Sequence, residues 1–113
     1  MSKSITFTEE DAWAVEGAPS NPLRLIEGST VTLACEFWGA VTSPSAAVYR
    51  NRQNVTSTVM PSGSHSASGA VATLKPLTAL LGGSRYVIAV TGTVSGDVWV
   101  KKIECVVGRD EDE

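Results

Sequence analysis

The side chains that could do chemistry in this sequence are one histidine, two cysteines and a few groups of carboxylates. His65 is the only histidine, and it lies in a run of serine and glycine without a nearby nucleophile elbow, so a hydrolytic triad is not predicted. The acids cluster at Glu9-Glu10-Asp11 and in residues 109–113. Neither cluster places a pair of carboxylates on rigid elements across a cleft, as glycoside hydrolysis requires. We therefore expect no catalytic residues and no enzyme.

The two cysteines do not form a metal motif. Cys35 and Cys105 are far apart in the chain, and with one histidine available a four-ligand zinc site would have to recruit carboxylates. The cysteines could form one disulfide or remain two buried thiols, and synthesis in a reducing compartment favours the thiols. The Gly82-Gly83 turn lacks the lysine and the helix of a phosphate loop. We expect no metal and no cofactor.

Composition narrows the class of protein further. A chain of 113 residues with 42% hydrophobic residues can build one core. The net charge of −3 comes with nine basic residues spread along the chain, which does not predict binding to nucleic acid. The start of the sequence moves straight into an alternating pattern without a signal peptide, and no apolar run approaches the roughly 20 residues of a membrane span. We expect a protein made in a cytosol, with no membrane partner.

The elements that must position any site are strands. Apolar side chains alternate with polar ones most cleanly around Cys35, and a second alternation runs from Arg85 to Val94, the first strand of the predicted C-terminal hairpin. These two strands supply the predicted core: Val31, Leu33, Cys35, Phe37, Tyr86, Ile88 and Val90.

Further short strands and loops complete the prediction. We predict strands at 5–8, 23–26, 46–50, 55–60, 70–74, 85–94 and 98–107. We predict loops at 39–44 and 61–69, and a connection with one helical turn at 75–83. Seven or eight short strands with turns between them indicate one all-β domain over residues 1–108, a single antiparallel immunoglobulin-like β-sandwich. Residues 109–113 are predicted to be a solvated acidic tail.

Two groups of residues are candidates for an interface. Trp13 and Trp38 lie near predicted strand ends, where an aromatic side chain can serve as a contact. Trp99 is expected to pack on the sheet. The stretch at 61–69 has no large apolar residue, so Ser64, His65 and Ser66 form a loop that a partner could order.

The sequence resembles small immunoglobulin-like domains over most of its length. The resemblance rests on 28–35, on Val48-Tyr49-Arg50, on 83–90 and on the closing hairpin. Antibody-type domains differ, because Trp38 follows Cys35 too closely, Cys105 lies in the last strand, and Tyr86 does not stand two residues before a cysteine.

The whole is similar to immunoglobulin-like virion proteins of tailed bacteriophages, such as head decoration (cement) proteins and tail-fibre adaptors. Segments 47–50 and 83–88 carry this resemblance. It implies a structural virion protein, made in the host cytoplasm, that binds capsid or neck and tail subunits in several copies or as a homo-oligomer. It assigns no functional residue. The alternative is a ligand- or carbohydrate-binding accessory module that uses exposed tryptophans as a platform.

Overall fold

The structure is a computed structural model that describes residues 2–108. Within this range the chain forms nine strands and one short helix. Their order is β1 (Ser2–Thr6), β2 (Leu23–Ile26), β3 (Thr32–Glu36), β4 (Val41–Arg50), β5 (Gln53–Asn54), α1 (Thr56–Val59), β6 (Ser66–Ser68), β7 (Val71–Thr73), β8 (Arg85–Val94) and β9 (Asp97–Gly108). The predicted tail at 109–113 lies outside the described residues.

The strands form two sheets that pack on one another. One sheet has four strands in the order β1-β3-β7-β6, and the other has five in the order β2-β9-β8-β4-β5. The prediction of an all-β domain is confirmed. The nine strands compare with about seven or eight expected. The expectation of purely antiparallel pairing is wrong, because β1 pairs parallel with β3 and β2 pairs parallel with β9. Neither pair is joined by a tight hairpin, and only a hairpin forces neighbouring strands to run antiparallel.

The core lies between the sheets, on the inward faces of β3, β8 and β9 above all. The seven residues predicted for the core, from Val31 to Val90, are all buried. On β8 the inward row continues to Gly92, where an added Cβ would lie 2.6 Å from Val41 Cγ2 and 3.1 Å from Phe37 Cζ. A glycine is favoured there because Val41 of the neighbouring strand β4 and Phe37, which follows β3 in the opposite sheet, leave no room for a side chain.

Two predicted loops are wrong in part. The loop at 39–44 ends early, because β4 already begins at Val41. Pro44 is tolerated inside β4 because the register with β8 shifts between Thr42 and Ser45, at an irregularity where a missing N–H does no harm. The loop at 61–69 contains β6, which pairs antiparallel with β7.

The predicted strand at 55–60 is wrong, since this segment forms the single helical turn α1. Asn54 Oδ1 accepts hydrogen bonds from the Thr56 backbone N–H at 2.9 Å and from the Thr56 hydroxyl at 2.7 Å. This local bonding starts the turn and overrides the strand preference of valine and threonine. The turn buries Val59 and Met60. The helical turn predicted within 75–83 does not form, although Leu77 and Leu80 of that segment are buried.

Among residues 2–108, no helix has the length and apolar character needed to cross a membrane.

Candidate interaction surface

The segment between β1 and β2 runs along the outer edge of β9. Ala14 donates its N–H to the Lys102 carbonyl at 3.0 Å, and Lys102 donates to the Ala12 carbonyl at 2.8 Å. Further along, Glu104 donates to the Gly17 carbonyl. This segment, residues 9–17, is called the strap below. Together with β2 it covers the edge of β9 from residue 102 onward, which protects that edge from pairing with another chain.

Lys101 holds the strap against β9. It is the buried charged residue of the described chain, with 4% of its surface exposed. Its Nζ donates to the carbonyls of Glu9 at 3.1 Å and Asp11 at 2.8 Å. The same ammonium lies 5.0 Å from the ring centroid of Trp38 and 5.2 Å from that of Trp99. Its charge is therefore compensated by two carbonyl oxygens and two aromatic rings.

The candidate residue Trp38 belongs to this internal cluster. Its ring meets Trp99 edge to face at 4.9 Å between centroids and lies 5.7 Å from the ring of Phe37. Both tryptophans are half-buried against the core, as expected for Trp99. Trp99 Nε1 is buried and has no hydrogen-bond partner among the described residues. Trp38 thus holds the strap through Lys101 and does not form an open aromatic platform.

Trp13 lies at a different place, on the strap beside β9. Its backbone bridges to Lys102 in parallel fashion, and Lys102 Nζ lies 5.8 Å from the centroid of the half-buried Trp13 ring. This candidate therefore borders the exposed side of the five-stranded sheet.

That exposed side is the outer face, defined by the side chains of β4, β8 and β9 that point away from the core. Of the five large hydrophobic side chains exposed in the described chain, three lie on it: Tyr49, Val98 and Val100. Val98 and Val100 are 68% and 53% exposed. Alternation normally leaves such positions polar. Val98 and Val100 form an exposed apolar pair near the turn between β8 and β9, whereas Tyr49 lies toward the opposite end of the sheet.

A depression of about 380 Å³ lies at one end of the outer face. The residues around it are Tyr49, Asn51, Arg52, Arg85, Val87, Ala89 and Lys102. Strand register explains the shape: Val87 stands between Tyr49 and Glu104, and the small Ala89 stands beside Lys102. A short side chain next to long ones leaves the hollow, with half-buried Val87 and Ala89 as its floor.

Positive charge is concentrated around this depression. Arg85 and Lys102 project from the sheet, and Arg52 comes from the tight turn between β4 and β5. Arg85 Nη1 pairs with Glu104 Oε2 at 2.7 Å while the arginine side chain stays 61% exposed. Three of the nine basic residues of a chain with net charge −3 thus converge on one hollow. Such an arrangement favours a ligand that combines negative charge with an apolar group.

The remaining interface candidates lie on the other side of the sandwich. Ser64 and Ser66 are exposed and His65 is half-buried, next to β6 at the edge of the four-stranded sheet. β6 neighbours β4, whereas Trp13 lies beyond β9. The five candidates named from the sequence therefore do not make one surface.

His65 has a specific structural role that can be tested. Its Nδ1 accepts the backbone N–H of Lys75 at 3.2 Å. Burial, and then the charge of Lys75, lower the pKa of His65 below its ordinary value of 6.5. Folding therefore favours the neutral ring, and the stability that this contact adds above pH 6.5 is lost as the pH falls further. We expect nitrogen NMR to find the proton on Nε2 at neutral pH, and the Lys75 amide to titrate with a midpoint below 6.5. A proton on Nδ1, or a midpoint at 6.5 or higher, would contradict this role.

Sequence reasoning missed the residues of the depression, although a signal was present. Residues 86–90 are apolar without a break, as are Val98-Trp99-Val100. An unbroken apolar run in a strand indicates that both faces avoid polar residues.

No protein-family model, curated protein or solved structure matches this chain in comparisons with known proteins.

Proposed function

We propose that this chain is an immunoglobulin-like module whose function is to bind other proteins, and that it is not an enzyme. The strand order supports the immunoglobulin-like arrangement, since β1-β3-β7-β6 and β2-β9-β8-β4-β5 follow the order of strands A-B-E-D and A′-G-F-C-C′ in such sandwiches. The parallel pairing of β1 with β3 departs from that pattern.

A second feature supports the same arrangement. Tyr86 stands at the start of β8, and its hydroxyl accepts the N–H of Leu81, five residues upstream, at 3.0 Å. A tyrosine at the start of the corresponding strand that bonds back to the preceding corner is a hallmark of immunoglobulin-like sandwiches.

The outer face is the observation that carries the binding function. Val98 and Val100 stay exposed next to each other on this face, and apolar side chains of this kind gain stability when a second surface covers them. Val98 and Val100 lie on a part of β9 whose outer edge pairs with no backbone among residues 2–108, so the same region offers a strand edge to a partner. Apolar side chains beside an open edge suit a protein partner.

We further propose that the partner is a virion subunit of a tailed bacteriophage, a capsid or a neck and tail protein, and that the chain acts there as a decoration or adaptor protein. It would be made in the host cytoplasm and take its place in the particle in several copies. Many copies of one partner surface allow contacts that are weak individually to add up. The alternative, a carbohydrate-binding module, has less support, because Trp38 and Trp99 pack against each other and Lys101 instead of forming an open platform.

The protein content of purified phage particles tests this proposal directly. Particles from cells that carry the gene, banded in a caesium chloride gradient, should contain this chain in a fixed ratio to the main capsid protein. A double variant with Val98→Lys and Val100→Lys should leave the fold intact and lower its content in particles at least tenfold, because charged groups cannot be buried unpaired in a contact. Val15→Lys is the matched control, since Val15 is 62% exposed but lies on the strap.

The possible outcomes separate the two parts of the proposal. A chain found only in the soluble fraction, never in particles, would overturn the virion role. A double variant that enters particles as well as the parent would overturn the role of the outer face.

A further inference from the structure

We propose that the depression on the outer face binds an acidic segment of the partner protein, in which carboxylates flank one apolar side chain. This inference deepens the proposed function, because it names the chemistry that the partner presents to the same face. It rests on the charge around the depression, on its apolar floor and on the backbone that places Arg52.

The backbone at Arg52 is the least expected feature of the site. β4 and β5 are joined by Asn51-Arg52, with φ angles of 53° and 67°, and Arg50 pairs with Gln53 across the turn. Both central residues are left-handed, as in a type I′ turn, which favours asparagine followed by glycine. Asn51 fits its position, whereas Arg52 occupies the glycine position.

The other tight turn of the same sheet provides an internal comparison. β8 and β9 are joined by Ser95-Gly96, with φ angles of 54° and 83°, and Val94 pairs with Asp97. There a glycine occupies the second position. An arginine held in a backbone conformation that glycine would adopt more easily indicates that its side chain is needed where it is.

Three cations around the hollow define the ligand charge. Lys102 and Arg52 are exposed. Arg85 bonds to Glu104 through Nη1, and a guanidinium has five N–H donors, so Arg85 can bind a second carboxylate at the same time. Glu104 offsets one of the three charges, which leaves room for a ligand with about two carboxylates.

The apolar floor of the depression favours an acidic peptide over nucleic acid. Val87 and Ala89 are half-buried and apolar, and Tyr49 forms one wall with 36% exposure. An apolar side chain can pack on this floor while carboxylates on either side reach the cations. Nucleic acid fits less well, because a net charge of −3 and only three converging cations give little attraction for a row of phosphates.

A peptide titration tests the inference. The probe is acetyl-Asp-Glu-Phe-Glu-Asp-amide, added to the nitrogen-15-labelled full chain at up to millimolar concentration. Amide shifts are expected to change around Tyr49, Arg52, Val87, Ala89 and Lys102, and to weaken when the salt concentration is raised tenfold. The neutral probe acetyl-Asn-Gln-Phe-Gln-Asn-amide should cause no comparable shifts.

A pair of glycine variants separates binding from folding. Arg52→Gly removes the cation and relieves the left-handed strain, so its melting temperature should equal or exceed that of the parent while the affinity for the acidic peptide falls about fivefold to tenfold. Ser95→Gly relieves the same kind of strain in the other turn and should leave the affinity unchanged. Lys102→Gln is a second test of the charge, in case the first variant folds poorly.

Several results would overturn the inference. One is equal binding of the acidic and the neutral peptide, and another is a set of amide shifts elsewhere on the chain. The others are an unchanged affinity for the acidic peptide in both Arg52→Gly and Lys102→Gln, and binding of a short oligothymidylate that is tighter than binding of the acidic peptide. The spectrum of a chain truncated after Gly108 can be compared with that of the full chain, both without peptide. A difference in the amide shifts of these residues would identify residues 109–113 as the occupant of the depression and would also overturn the inference. A chain that enters particles but does not bind the acidic peptide would refute this inference without contradicting the virion role.

Discussion

Replacing Lys101 with methionine is expected to lower the free energy of unfolding by about 2 to 4 kcal/mol, and the melting temperature by roughly 10 to 20 °C. Methionine keeps the unbranched apolar stem but removes the ammonium. The carbonyls of Glu9 and Asp11 then lose their shared donor, and the rings of Trp38 and Trp99 lose a cation about 5 Å from their centroids. Thermal unfolding followed by circular dichroism measures the loss.

The position of the damage is also predicted. The strap is attached to β9 through the backbone bonds between Ala12, Ala14 and Lys102, so the amides of Ala14 and Lys102 should exchange with solvent sooner in the Lys101→Met variant. The matched control is Lys102→Met on the same strand, which replaces an exposed lysine. Its one ring contact, with Trp13, is longer than those of Lys101, so this variant should change stability by no more than about 1 kcal/mol. If the two variants melted alike, the contacts of Lys101 would contribute nothing to folding.

The strands were predictable where the alternation of apolar and polar residues is local. β2 and β3 follow from that pattern, because alternation alone distinguishes the buried face of a half-buried strand from its exposed face. β8 and β9 were also predicted, although apolar residues such as Val87 and Val98 occupy outward positions there. The partners of β1 and β2 were not predictable in the same way. Their parallel pairing depends on how the chain crosses between the sheets, and no residue within either strand determines that.

The helical turn α1 shows how a single side chain can reverse a propensity. Valine and threonine at 55–60 predicted a strand, but the Asn54 carboxamide bonds to Thr56 and closes a turn instead. Sequence reasoning could have weighed this asparagine, because such side chains compete with the backbone bonds of a strand.

The candidate site was harder to predict, because its parts come from distant segments. The left-handed backbone of Arg52 was not predictable, since arginine rarely occupies that position of a turn. Lys101 occupies an inward position of β9, where a charge is disfavoured unless carbonyls and rings from elsewhere compensate it. Only the folded chain brings Glu9, Asp11 and Trp38 to it.

Raising the pH above 9 should destabilise the protein through its two thiols. Cys35 and Cys105 are free and buried, and burial raises the pKa of each from 9.0 to about 12, with a smaller contribution from Glu104 for Cys105. The unfolded chain releases these protons near pH 9, whereas the folded chain keeps them until about pH 12. The thiols therefore favour folding fully below pH 9, and that contribution is lost as the pH rises toward 12.

The size of this effect follows from the two pKa values. Each thiol makes folding less favourable by about 1.4 kcal/mol per pH unit in this window, which is roughly 3 kcal/mol per unit for the pair. Other groups titrate in the same range, so the double variant Cys35→Ala with Cys105→Ala serves as the reference, and its stability in denaturant should fall less steeply with pH. Equal slopes for the two proteins would contradict the prediction.

Thiol chemistry provides an independent measurement that does not depend on the variant folding. A thiolate, and not a thiol, attacks a disulfide reagent, so both cysteines of the native chain should react very slowly at pH 8 and quickly once the chain is unfolded in urea. Rapid reaction of the native protein would mean that water reaches Cys35 or Cys105. Slow reaction would agree with the position of the thiols on the inward faces of β3 and β9, where water does not reach them.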